Sequence, residues 1–134
     1  MRYAIRLFLL LEATSFVLAG LVHFGVLAHG YEHGSAAIAE SIIGAVLLVA
    51  LALTWGLPAW TRTVGIVAQG FALLGTLVGA FTIAIGVGPR TVPDVVYHAA
   101  ILLALAWGLV VAARAPAAEL DARAAGQGSA RPAS

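Results

Sequence analysis

Eighteen residues, His23 to Glu40 (HFGVLAHGYEHGSAAIAE), hold three of the chain's four histidines and two of its six acidic side chains, and long apolar runs flank them on both sides. Imidazole titrates near neutrality, and together with carboxylate it ligates Zn, Fe, Cu or Ni. His23, Glu40 and the distant His98 are the candidate cofactor or metal residues. Two histidines and a glutamate brought from three helices would leave a fourth coordination position open. His23 and His98 facing each other would suit axial ligation of haem b. The same residue types also exchange protons with a quinone or quinol near a membrane interface. The spacing matches no dense metal motif such as HExxH, so these options stay open together.

The elements that position these residues follow from composition. At 134 residues, 62% hydrophobic and 10% charged, the chain lies in the membrane class. It has no cysteine, which excludes disulfides, thiolate metal sites and thiol redox chemistry of its own. A net charge of +1 and the absence of lysine give no reason to expect a nucleic-acid partner. Apolar runs at 4–27, 36–55, 62–87 and 93–113 each approach the ~20 residues that cross ~30 Å of hydrocarbon. They are continuous rather than alternating, which predicts helices. The expected fold is an all-α, up-down-up-down membrane four-helix bundle over residues 1–114, with a disordered cytoplasmic tail over 115–134.

Arg2, Arg6, Arg62, Arg114, Arg123 and Arg131 fall on one side of this topology and Arg90 alone on the other, predicting cytoplasmic termini. Tyr3, Trp55, Trp60 and Trp107 then mark the inner interface and Tyr31 the outer one. A cleaved signal peptide is the competing reading of the first run. That run is long for such a segment and carries Glu12.

Counting inward from the outer loops places His23, Glu40 and His98 in one layer, roughly 6–9 Å deep at the helical rise. Asp94 sits one turn above His98 and also reads as the acid of a capping box begun by Thr91. His29, Glu32 and His33 hang over the layer in the first loop, where a solvated role is the plainer reading. Glu12 and Gln69 match in depth from the inner side, as a second polar layer or a hydrogen bond that fixes helix register. Gly75 and Gly79 form a GxxxG for close helix contact.

Arg6-Leu7-Phe8 through Phe16-Val17-Leu18-Ala19-Gly20-Leu21-Val22-His23-Phe24, followed by Ala39-Glu40-Ser41-Ile42-Ile43-Gly44, resembles the opening of the DoxX-like small four-helix membrane proteins, and Arg62 matches loosely. The similarity covers roughly the first two-thirds of the chain. It implies a bacterial inner-membrane subunit linked to quinone oxidation or oxidative-stress complexes, with Glu40 at the matched position.

The function expected from these readings is redox or proton handling with quinone, haem b or a transition metal (Zn, Fe or Cu). One alternative is a non-catalytic accessory subunit, in which the polar layer serves interhelical hydrogen bonding and a lipid-facing GxxxG or the tail recruits a partner. The other is proton or small-solute transport by an oligomer. In each case the lipid bilayer and a homo-oligomer or membrane-complex partner are the expected neighbours.

Overall fold

The computed structural model describes residues 1–116, and the expected disordered tail falls, from residue 117 on, outside the described residues. Four helices make an up-down bundle: α1 (Arg2–His23), α2 (Gly34–Gly56), α3 (Thr61–Ala84) and α4 (Val92–Ala113). Each is long and apolar enough to cross a membrane. α1 packs most extensively on α2, and α3 on α4, as short connections require.

Large apolar side chains such as Leu18, Ile42, Leu74, Phe81, Leu103 and Trp107 face outward, a surface suited to lipid rather than water. The interior is built largely from small side chains, Ala13, Ala50, Ala68, Ala72 and Ala112 around Phe16, Leu47 and Leu105. On α1 the buried positions Ile5, Leu9, Glu12, Phe16, Gly20 and His23 recur every three or four residues. They form one helical face, and it carries two ionisable residues.

The chain terminates two helices in the same way. Gly25, at φ +74°, donates to the Val22 carbonyl (2.9 Å), and Val26 donates to Leu21 (2.9 Å). Gly86, at φ +83°, donates to Ile83 (3.1 Å), and Val87 donates to Thr82 (2.9 Å). Both are left-handed glycine stops, which close the last turn without a Cβ penalty. They explain the largest boundary differences: α1 ends at His23 rather than at 27, and α3 ends at Ala84 rather than at 87.

α4 opens as the sequence predicts, with a Thr91–Asp94 capping box and Pro93 in the first turn. A 3-10 turn, Pro58–Trp60, joins α2 to α3, and the Thr61 hydroxyl donates to the Pro58 carbonyl (2.9 Å).

The GxxxG is not lipid-facing. A Cβ at Gly75 would lie 2.9 Å from Ile43 of α2, and one at Gly79 would lie 3.1 Å from His98 of α4. Its two half-buried glycines serve contacts inside the bundle.

Candidate functional site

The end of the bundle bearing the α1–α2 and α3–α4 connections holds a buried cluster of three ionisable groups from three helices. His23 Nδ1 lies 2.6 Å from Glu40 Oε2, and His23 Nε2 lies 3.1 Å from Asp94 Oδ1. All three residues are buried. One imidazole is therefore held at both nitrogens by carboxyl groups. The geometry suits an imidazolium donating to two carboxylates, or a neutral ring that donates to one side and accepts from a protonated carboxyl on the other.

Local structure puts each residue in place. The glycine stop at Gly25 leaves His23 as the last residue of α1. The backbone N–H of His33 donates to the His23 carbonyl (3.0 Å), so the loop folds back over this end. Asp94 serves two structures at once: Oδ2 accepts from the Thr91 hydroxyl and from the Thr91 N–H (3.1 Å), while Oδ1 faces His23. Glu40, six residues into α2, reaches up to the ring.

His98 lies outside this hydrogen-bonded set. Its Nδ1 is bonded to the carbonyl of Asp94, one turn back on its own helix (2.8 Å), and its Nε2 faces Gly79. Depth counting paired His98 with His23 because it took α1 to run on to 27. With α1 ending at His23, that ring stands at the level of the first turn of α4 and meets Asp94 instead.

His98 and Glu40 do line one partly enclosed cavity of about 170 Å³ among α2, α3 and α4, together with His33, Ser35 and Thr82. Glu40 Oε1 is buried without a hydrogen-bond partner among the described residues. At ~30 Å³ per water, the cavity has room for about five waters or one benzene-sized ring, far less than a haem macrocycle needs. On the other side of His23, a groove of about 450 Å³ between α1 and α4 is lined by His23, Asp94, Tyr31, Ser15 and Tyr97 among apolar side chains. The Ser15 hydroxyl donates to Tyr97 Oη (3.4 Å) within it, and the Tyr97 ring meets Phe16 edge-on. The imidazole thus separates two spaces and touches a carboxyl facing each.

Both His23 nitrogens are engaged, so neither is free for a metal or for haem iron. No group of three or more His, Asp or Glu side chains among the described residues is arranged to hold a metal ion. The remaining candidates sit apart. His29 and Glu32 face each other at 3.5 Å on the surface of the loop. Glu32 accepts from the Gly30 N–H (2.8 Å), and its own N–H and that of Gly30 hold its carboxyl below the usual range. His33 caps α2, its Nδ1 accepting from the Ala36 N–H (3.3 Å).

Glu12 and Gln69 meet as their matched depths predict. Gln69 Nε2 donates toward both Glu12 oxygens (3.2 and 3.1 Å), while Gln69 Oε1 is buried without a partner among the described residues. Gly108 of α4, which sequence reasoning missed, makes room for them: a Cβ there would run into the Gln69 amide and the Glu12 carboxyl. A glycine in an apolar helix opposite a buried polar pair was the available signal.

No family model, curated protein or solved structure matches the chain.

Proposed function

We propose that this four-span protein is a proton-transfer device, in which Asp94, His23 and Glu40 pass protons between the α1–α4 groove and the cavity below Glu40. The observation that carries this reading is the doubly held imidazole together with the free oxygen of Glu40. A ring bonded to one carboxyl at each nitrogen can accept a proton at one side and release one at the other. Glu40 Oε1 is the atom at which a proton enters from or leaves to the cavity, and Asp94 stands at the groove. The groove, apolar apart from a few hydroxyls and the cluster, suits a lipid-soluble molecule with a hydroxyl or carbonyl head, the quinone-like class. The DoxX-like resemblance of the first two helices points the same way, with Glu40 at the matched position.

One observation favours a second reading. The cluster ties α1, α2 and α4 together, which an accessory subunit would need for rigidity alone. A pH jump on protein in nanodiscs, followed by infrared absorption of carboxyl groups, separates the two. Proton transfer predicts a carboxyl signal lost in Glu40→Gln and slowed at least about tenfold in His23→Gln, with the bundle still folded by circular dichroism. A signal unchanged in both variants would leave only the rigid clamp.

A further inference from the structure

At the opposite end of the bundle, where α1 and α3 begin and α4 ends, a cavity of about 310 Å³ is lined by Arg2, Ile5, Pro58, Thr61, Arg62 and Ala115. Its volume is at the lower end of ligand clefts, roughly 300–1,000 Å³. No Asp or Glu among the described residues lines it. Both arginines line one cavity with no described counter-charge. Arg62 Nη2 donates to the Ala113 carbonyl (3.2 Å), but its Nε is buried without a hydrogen-bond partner among the described residues.

The helix ends compound this charge. No side chain caps α3, and its first turn, which contains Arg62, has no acid; α1 likewise begins with Arg2 and has no acid in its first turn. A cation in the first turn opposes the helix dipole, and an anion there satisfies it. α4 shows the opposite arrangement at the other end, with an acid and a complete capping box. Arg6 does not share the role, because Thr54 binds it through its hydroxyl (3.1 Å) and carbonyl (2.6 Å) and Trp55 stacks on it at 4.1 Å.

We infer that the Arg2–Arg62 cavity binds a phosphate group, the forked guanidinium donors of the two arginines meeting its oxygens. Trp55 and Trp60 flank this end with exposed rings, as aromatic residues do at headgroup depth. A phospholipid phosphate is the source that this placement favours, and a free phosphate is the other.

The test uses the full chain in mild detergent. Phosphatidylglycerol and inorganic phosphate are added separately, with bound lipid measured by native mass spectrometry and bound phosphate by phosphorus NMR. One phosphatidylglycerol should be retained per chain, with affinity reduced about tenfold in Arg2→Gln and Arg62→Gln. Arg114→Gln, at the same end but outside the cavity, should leave it unchanged. Arg62→Gln also removes the tie to α4, so Arg2→Gln carries the result if the former unfolds. Inorganic phosphate that binds more tightly, with the same arginine dependence, would support the phosphate site and make its ligand soluble. Equal loss in all three variants would reduce the effect to diffuse surface charge and overturn the site, as would no loss in any. A gain of lipid in Glu119→Gln/Asp121→Asn would also overturn it, by making the chain's own carboxylates the occupant.

Discussion

Two buried inclusions among the described residues carry carboxyl groups, and they differ in connectivity more than in composition. The His23 cluster joins three helices, spends both nitrogens of its ring and borders space on either side. The Glu12–Gln69 pair joins two helices, with Gly108 of a third packed directly on it. The cluster removes two carboxyl groups from water and the pair one, a step costly enough in hydrocarbon to need a partner. The cluster solves this with three ionisable groups bonded in a chain; the pair solves it with one amide. Burial of a carboxyl group in a membrane bundle is therefore a weak guide to its role, and what the carboxyl leads to is a better one.

The contrast can be broken by mutation, and the largest effect should come from the ring. His23→Ala leaves two carboxyl groups buried around a hole and should destabilise the bundle by about 3–5 kcal/mol, measured by denaturant unfolding in micelles. A loss below ~1 kcal/mol would mean that the cluster is wetter and looser than its burial implies. Gly108→Ala should cost about 1–3 kcal/mol by overpacking the Glu12–Gln69 pair; neutral behaviour would show that α4 can move away at no cost. Glu12→Gln keeps a hydrogen-bonding side chain against Gln69 and should stay within about 1 kcal/mol of the parent. A larger loss would make the Glu12 charge or proton essential and erase the distinction between the two inclusions.

The smallest effect lies in the loop. The Glu32 carboxyl should titrate below 4.5 in a carbon-13 NMR titration, because backbone N–H groups favour its charged form. A folded value below the unfolded one gives a stabilisation that is present above the unfolded value and lost as pH falls through the folded one. Glu32→Gln should remove that acid-side dependence and leave the His23 cluster untouched.

Much of this was legible in the sequence, for physical reasons. Hydrocarbon forces continuous apolar helices, so the four spans and their short connections could be counted. Thr91 and Asp94 announced a cap through their spacing, and Glu12 with Gln69 through matched depth. Glu40 does meet His23, but Asp94 rather than His98 is its second partner, because a one-turn error at a helix end changes which residue stands opposite. Phe24 to Leu27 is apolar enough to continue a helix, and only the left-handed turn at Gly25 stops it. Asp94 was assigned to its cap, and a carboxyl has two oxygens: the second, aimed at His23, belongs to tertiary packing. Gly108 is legible only once Glu12 and Gln69 are paired, because the reason for it lies on α1 and α3.

The central claim is that one imidazole is shared between two carboxyl groups. Nitrogen-15 solid-state NMR of histidine-labelled protein in lipid bilayers, with His23 assigned by substitution, tests it most directly. Both ring nitrogens should show hydrogen-bonded shifts, with Asp94→Asn perturbing Nε2 and Glu40→Gln perturbing Nδ1. An ordinary neutral ring with one unbonded nitrogen, indifferent to both substitutions, would contradict the account.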